Sequence, residues 1–170
     1  MTVTARAEEC TCQRMRGRQP SPLCKGQYTF QEEGKQVRFS PRQQEDTRAI
    51  ALDGCFFGDE EKRCDGLFIW RQTGGGRKVA ALVELKGAGD IPRAFEQLAY
   101  VRHNRPEYRE LVDSVNEEPG QRAIEMAVIV TNGQITKPER ESLEAQYGIR
   151  VRVEMHSMPS SPVPDLRNNL

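Results

Sequence analysis

Two acidic residues and a lysine lie at the ends of two apolar segments that are separated by a run of glycines. Asp65 begins the first segment, Glu84 and Lys86 end the second, and residues 74–76 between them are all glycine. Glycine accepts the positive φ angles of tight turns, so this pattern predicts a β-hairpin. If the first two glycines form the turn, Asp65 lies directly opposite Glu84, on the same face of the sheet. A turn of all three glycines would place Asp65 diagonal to Glu84.

This arrangement predicts a metal site with hydrolytic chemistry. Lys86 follows Glu84 by two residues and therefore shares its face of the strand. Two carboxylates held together away from water are unfavourable unless a cation or a shared proton compensates them. The expected cation is Mg²⁺ or Mn²⁺, held by Asp65, Glu84 and the backbone carbonyl of Leu85. Lys86 could position or deprotonate an attacking water or neutralise a phosphate, as phosphodiester hydrolysis requires. The alternative interpretation is a salt-bridge cluster at the end of a sheet.

The rest of the chain predicts the elements that would carry the hairpin. The nearly continuous apolar segment 123–131 predicts a strand covered on both faces. Apolar residues after the second hairpin strand have the spacing of an amphipathic helix: Ile91, Ala94, Phe95, Leu98 and Val101. Further predictions are a hairpin within 26–39, a helix from Ser40-Pro41 to Leu52, a short strand at 55–57, a helix over 138–147 and a strand over 149–153. The expected fold class is α/β, with a mixed β-sheet flanked by helices.

A known motif has the same composition and order. Asp65, Glu84-Leu85-Lys86 and a following helix with Phe95-Glu96-Gln97-Leu98 resemble the PD-(D/E)xK nuclease superfamily, which includes restriction endonucleases, Holliday junction resolvases and recombination exonucleases. The resemblance covers roughly residues 41–131. It implies a restriction endonuclease-like αβββαβ core, metal-dependent phosphodiester cleavage, and the roles given above for Asp65, Glu84 and Lys86.

The resemblance also points to two further catalytic candidates. Many superfamily members add a helical glutamate before the first motif acid, and Glu45 is the candidate here, with Asp46 and Asp53 as rivals. An exposed helix residue is the alternative interpretation for each of the three. Gln97 could face the metal site, or it could be an ordinary amide on the helix surface.

Two positions depart from the superfamily pattern. Cys64, rather than proline, precedes Asp65. Gln97 is followed by Tyr100, one residue short of the Gln-x-x-x-Tyr motif of the exonuclease branch. Endonuclease activity is therefore favoured over exonuclease activity.

Five cysteines are the remaining candidates for metal chemistry: Cys10, Cys12, Cys24, Cys55 and Cys64. A turn centred on Asp59-Glu60 would place the last two opposite each other. Four thiolates from this set could hold a structural Zn²⁺ that fixes the N-terminal segment to the core. The spacing lacks a pair of Cys-x-x-Cys motifs, so ordinary thiols are the alternative. A reducing compartment favours either arrangement over disulfides.

The chain of 170 residues is long enough for one domain, predicted at 26–156. The Cys- and Arg-rich segment 1–25 is interpreted as a tail or metal-binding adapter, and 157–170 as a flexible C-terminal tail, neither joining the core. No apolar run is long enough to cross a membrane and no signal peptide is recognisable, so a cytoplasmic protein without membrane contact is expected.

The charge composition bears on the partner. Lysine plus arginine equals aspartate plus glutamate, which counts against a general nucleic-acid coat protein but not against a nuclease. Basic residues cluster near the N-terminus and again at Arg102, His103, Arg105 and Arg109, either as a nucleic-acid contact or as a solvated face.

The leading hypothesis is a nuclease acting in defence or repair, on DNA in preference to RNA. The alternative is a non-catalytic module on the same fold that binds nucleic acid or a protein. Cutting both strands of a duplex ordinarily requires two active sites, so a homodimer is expected, or a nuclease subunit within a larger complex.

Overall fold

A computed structural model describes residues 1–170, apart from the side chain of Arg16. The described helices are α1 (Val3–Glu9), α2 (Ile91–Asn104), α3 (Pro106–Glu117) and α4 (Lys137–Tyr147). The described strands are β1 (Cys24–Gly26), β2 (Thr29–Glu32), β3 (Lys35–Arg38), β4 (Glu45–Ala51), β5 (Gly66–Gln72), β6 (Lys78–Lys86), β7 (Ile124–Thr131) and β8 (Val153–His156). Short 3₁₀ turns occur at Arg16–Arg18, Ala88–Asp90 and Leu166–Asn169.

A five-stranded mixed sheet with the order β4-β5-β6-β7-β8 forms the centre of the fold. The pairs β4–β5 and β5–β6 are antiparallel, whereas β6–β7 and β7–β8 are parallel. The strands β1, β2 and β3 form a separate antiparallel sheet, called the small sheet below. The predicted α/β class with a mixed sheet is confirmed, as are the predicted hairpin within 26–39, the helices at 91 and 138–147, and the strand at 123–131.

The central sheet separates two apolar cores. Side chains alternate along β5 and β6, so that Leu67 and Leu82 face one core and Phe68 and Val83 face the other. All four helices contribute to the first core, which we call the helix side. The second core is covered by the small sheet through Phe30, Val37 and Phe39. The predicted flanking helices therefore cover one face of the sheet, and the small sheet covers the other.

Residues 45–51 form strand β4 rather than part of the predicted helix over 40–52. The strand pairs with β5 from Glu45 opposite Gln72 to Ala51 opposite Gly66. Gln44 has a φ of 63°, which interrupts a helical path immediately before the strand. Ser40-Pro41 is a local helix signal, and pairing along a buried strand outweighs it.

Residues 55–57 form a turn rather than the predicted short strand. The N–H groups of Phe56 and Phe57 donate to the carbonyls of Ala51 and Leu52. This turn directs both phenylalanine rings into the helix-side core. Burial of two large rings decides the conformation here.

The last strand begins later than predicted, at Val153 rather than Ile149. Gly148 ends α4 in the left-handed conformation with a φ of 65°. Ile149 and Val151 then pack into the helix-side core before the chain joins the sheet.

The first 25 residues pack against the domain, contrary to the expectation that they do not join the core. The N–H of Cys12 donates to the carbonyl of Ala49 at 2.7 Å, so this segment extends the central sheet beyond β4. Disulfides join Cys10 to Cys55 and Cys12 to Cys24. The covalent links, which the sequence analysis did not predict, hold the segment in place.

The C-terminal segment is also packed. Leu166 is buried in the core beneath the small sheet. Arg167 donates to both carboxylate oxygens of Glu45, at 2.9 Å each. Asp165 accepts from Arg38 and from the N–H of Ser40. The described helices include none with the length and apolar character needed to cross a membrane.

Candidate active site

The glycine turn places Asp65 and Glu84 side by side. The first two glycines of the turn have φ angles of 83° and 89°, which only glycine adopts easily. Gly66 pairs with Val83, so the next residue outward, Asp65, stands opposite Glu84. The N–H of Asp65 donates to Glu84 Oε2 at 3.0 Å. The register predicted for a turn at the first two glycines is confirmed.

Leu85 and Lys86 complete this group at the end of β6. The N–H of Leu85 donates to Asp65 Oδ2 at 2.8 Å. Because the N–H and C=O of one strand residue point toward the same neighbouring strand, the Leu85 carbonyl faces the Asp65 side. Lys86 Nζ lies 3.0 Å from Glu84 Oε1. The predicted group of two acids, one carbonyl and one lysine is therefore contiguous in space.

Both acids are buried, with exposed fractions of 5% for Asp65 and 1% for Glu84. Burial raises the pKa of Asp65 above its ordinary value, and the neighbouring Glu84 raises this pKa further. Burial likewise raises the pKa of Glu84, although the ammonium of Lys86 opposes this effect. Two buried carboxyls thus share one nearby ammonium. Strongly perturbed carboxyls in a cleft are characteristic of functional sites.

Helix α2 brings Gln97 to the same site. Its Nε2 donates to the carbonyl of Arg63 at 3.0 Å, which fixes the amide beside the strand that follows. Its Oε1 is buried and accepts no hydrogen bond within the part of the chain that is described. A buried amide oxygen without a donor is unfavourable, so this atom is available to a ligand.

An open cleft of about 470 Å³ gives access to the site. Acidic side chains outnumber basic ones around it: Glu32, Asp53, Glu60, Glu61, Asp65, Glu84 and Glu96 against Lys62, Arg63, Lys86 and Arg93. This excess of negative charge would repel a phosphate and attract a cation. The cleft is therefore suited to a polyanion only after a cation has bound.

The loop 58–64 forms one wall of the cleft and is held by ion pairs. Buried Arg105 donates to both oxygens of Asp59 at 2.9 and 2.7 Å, and its guanidinium stacks over Phe57. Arg63 pairs with Asp53, and Lys62 pairs with Glu96 on α2. These contacts fix the loop on both the β4 side and the helix side.

Glu32 is a site residue that the sequence analysis missed. It ends β2 in the small sheet and lines the cleft together with Asp65. Its carboxyl interacts with that of Asp65 and contributes to raising the pKa of Asp65. No local pattern around Glu32 indicates this role, because the contact depends on how the small sheet packs on the central one.

The structure does not bring Glu45 to the site. Glu45 lies opposite Gln72 near the glycine turn, at the other end of β5 from Asp65, and is held by Arg167 and by Trp70 Nε1. The prediction that Glu45 is a helical glutamate of the site is wrong, because residues 45–51 form strand β4. Its rival Asp46 also lies at that far end, whereas Asp53 lines the cleft.

Four of the cysteines are not available as the zinc ligands predicted for them. A disulfide sulfur is not a thiolate, and the two disulfides use Cys10, Cys12, Cys24 and Cys55. Cys64 is the free cysteine of the described chain. It is buried, and burial raises the pKa of its thiol, which disfavours the thiolate that a zinc ligand must supply. Its predicted position opposite residue 55 is wrong because residues 55–57 form a turn.

Three of the four residues in the basic cluster at 102–109 are held by contacts within the protein. Arg105 is buried against acidic groups, and Arg109 pairs with Glu125 at 2.7 Å. His103 lies 2.9 Å from the carbonyl of Gly148. These contacts favour a structural role for the cluster over nucleic-acid contact.

Within the described residues, no three histidine, cysteine or acidic side chains converge as a ready-made metal site. The donors here are instead two carboxylates, a backbone carbonyl and an amide oxygen. Comparisons with protein families, with characterised proteins and with solved structures gave no match to this chain. The superfamily resemblance therefore stays a prediction.

Proposed function

We propose that this protein is a divalent-metal-dependent nuclease that hydrolyses phosphodiester bonds, with DNA as its substrate. The observation that carries this proposal is the pairing of buried Asp65 and Glu84 on one face of the sheet, with Lys86 beside them. A structural ion pair needs one acid and one base. A second buried acid without its own cation is unfavourable unless it holds a proton or binds a cation, and a divalent ion would compensate both acids here.

The donors suit Mg²⁺ or Mn²⁺. Such hard cations prefer oxygen ligands, and Mg²⁺ in particular takes one or two protein carboxylates while keeping several waters. Asp65, Glu84 and the carbonyl of Leu85 would hold the ion. Three convergent acids are not required for this kind of site, and the unpartnered Oε1 of Gln97 offers a further acceptor for a bound water.

The side chains have distinct roles in hydrolysis. A bound divalent ion would polarise the phosphodiester and lower the pKa of a coordinated water. Lys86 donates a hydrogen bond to the attacking water or to a phosphate oxygen, while its contact with Glu84 fixes its position. Arg93 lines the cleft and can bind a neighbouring phosphate. Hydrolysis joins the water oxygen to phosphorus and breaks one P–O bond.

The order of elements supports the same assignment. Helix α1, strands β4, β5 and β6, helix α2 and strand β7 follow one another in the αβββαβ order of the PD-(D/E)xK superfamily, with the small sheet inserted after α1 and α3 after α2. Asp65 precedes the second strand of this series, Glu84 and Lys86 end the third, and Gln97 lies on the next helix.

Cleavage of supercoiled plasmid tests the proposal. With Mg²⁺ or Mn²⁺, the wild-type protein should nick or linearise the plasmid, and Asp65→Asn, Glu84→Gln and Lys86→Ala should each reduce the rate by about 100-fold or more. Asp46→Asn is the matched control, because this residue lies at the far end of the same sheet. Its rate should stay within about twofold of wild type.

Several outcomes discriminate the alternatives. Cleavage that persists in all three site variants, or in the presence of EDTA, contradicts the site. Binding of DNA without cleavage favours the non-catalytic module. Comparing cleavage of single-stranded RNA with cleavage of linear DNA of matched sequence separates RNA from DNA specificity. Comparing linear DNA with the closed plasmid separates terminal from internal cutting. Light scattering of the free and DNA-bound protein measures whether two copies assemble for double-strand cleavage.

A further inference from the structure

A second cleft meets the first at the proposed metal site. It measures about 450 Å³ and runs between residues 20–23 and the turn of the small sheet. Glu32, Asp53 and Asp65 line both clefts. Asp53 is paired with Arg63, so its charge is compensated. Glu32 and Asp65 therefore mark the junction of the two clefts.

Close packing fixes the small sheet beside Asp65. The ring of Phe30 lies against Gly66, where an added Cβ would come within 2.6 Å of two ring atoms. The same ring packs on Phe68, with centroids 4.5 Å apart. Glu32 follows Phe30 by two residues on the same side of β2. The position of Glu32 beside Asp65 at both clefts thus follows from the close packing of Phe30 on Gly66, the residue next to Asp65.

The charges around this junction do not balance. Glu32, Asp65 and Glu84 line one cleft, and Lys86 is the cation paired with Glu84. Of the other cations at the cleft, Arg63 pairs with Asp53 and Lys62 with Glu96, while Arg93 stands on α2. When all three carboxyls are ionised, they carry two negative charges more than the one ammonium of Lys86 offsets, and a divalent ion would neutralise this excess.

We infer that Glu32 is a third acidic group of the divalent-ion site, and that the small sheet is consequently part of the active site. This inference rests on the proposed function. In the described conformation the three acids do not converge on one point. The side chain of Glu32 is exposed at the end of its strand, so it can turn toward a bound ion without leaving a packed environment.

Calorimetric titration of Mn²⁺ into the metal-free protein tests the inference without depending on catalysis. Glu32→Gln should weaken Mn²⁺ binding by about 10-fold or more. Glu33→Gln is the matched control: it removes the same charge from the next residue of the same turn, and its affinity should stay within about twofold of wild type. Asp65→Asn serves as the reference for loss of the site. Thermal unfolding without metal should show Glu32→Gln folded and at least as stable as wild type, because it removes a charge beside Asp65.

The outcomes separate the two proposals. Wild-type affinity in Glu32→Gln together with weakened binding in Asp65→Asn overturns the role of Glu32 and leaves the nuclease site in place. Unchanged affinity in both variants, or no Mn²⁺ binding by the wild type, overturns both. Equal weakening of Mn²⁺ binding in Glu32→Gln and Glu33→Gln would assign the effect to the overall negative charge of this region. That result would also overturn the specific role of Glu32.

Discussion

Asp65 and Glu84 should make the metal-free protein less stable at neutral and alkaline pH. In the folded protein burial raises the pKa of both carboxyls, whereas in the unfolded chain they titrate near their ordinary values of 3.8 and 4.5. The folded state therefore binds protons more readily than the unfolded state. The stability that the two protonated carboxyls contribute to the fold is fully present below the ordinary pKa values of the unfolded chain. It is lost as the pH rises through the raised pKa values of the folded protein. The proposed metal site thus lowers the stability of the metal-free protein at these pH values.

Asp65→Asn should raise the free energy of unfolding of the metal-free protein at pH 8 by about 1–3 kcal/mol. The asparagine oxygen can still accept the N–H of Leu85, while the buried charge is removed. Urea denaturation between pH 5 and pH 8 measures this, and the variant should have a flatter pH profile than wild type. Asp46→Asn, on the half-exposed far end of β4, should change stability by less than about 0.5 kcal/mol.

Added Mg²⁺ should reverse the order of stabilities. A ligand that binds only the folded state stabilises that state. Once the ligand concentration exceeds the dissociation constant, the stabilisation grows with the logarithm of the ratio of the two. Wild type should gain stability with Mg²⁺ at pH 8, and Asp65→Asn should not. An Asp65→Asn protein less stable than wild type at pH 8 without metal would contradict the electrostatic explanation.

The residues of the motif could be placed from the sequence because one local feature determines their register. The glycine turn sets the pairing of β5 with β6, and Asp65 and Glu84 then follow by counting outward from the turn. Glu32 could not be found in this way. Its position depends on packing between residues far apart in the chain, which hydrophobic periodicity does not encode.

At the scale of elements, Gly66 controls how closely the small sheet approaches the central one. Gly66→Ala should destabilise the protein by about 1–3 kcal/mol, because the new methyl group would collide with the buried ring of Phe30. Gly58→Ala is the control, since nothing lies within 4 Å of a Cβ at that position. Equal stability of the two variants in urea denaturation would show that Phe30 is free to move away from β5.

Local signals predicted most elements and failed where a neighbour decided the outcome. The helix predicted over 40–52 depended on Ser40-Pro41, but pairing with β5 converts its second half into β4. Helix α3 was missed although Pro106 begins it and its buried residues have helical spacing: Tyr108, Leu111, Val112 and Val115. Avoiding the first error would have required tertiary information, whereas the sequence alone contained the signals needed to avoid the second.

At the scale of the whole molecule, two disulfides link residues 10–12, which follow α1, to the chain after β4 and to the small sheet. Cys10 is joined to Cys55, which follows the end of β4, and Cys12 is joined to Cys24 on β1 of the small sheet. The sequence shows five cysteines but not their pairing, and an assumed reducing compartment favoured thiols over disulfides. Disulfides are characteristic of oxidising surroundings, so the pairing does not fit that assumption.

The two disulfides should stabilise the fold to different degrees. In the chain-entropy account, the link that spans 45 residues contributes about 4 kcal/mol and the link that spans 12 residues contributes about 3 kcal/mol. The double variant Cys10→Ser/Cys55→Ser should therefore lose more stability than Cys12→Ser/Cys24→Ser, as measured by urea denaturation without reductant. Mass spectrometry after alkylation of the denatured, unreduced protein should find one modified cysteine, Cys64, because the other four are linked. Alkylation of all five would contradict the pairing, and the small sheet, with Glu32, would then be held by non-covalent contacts such as that of Phe30 with Gly66.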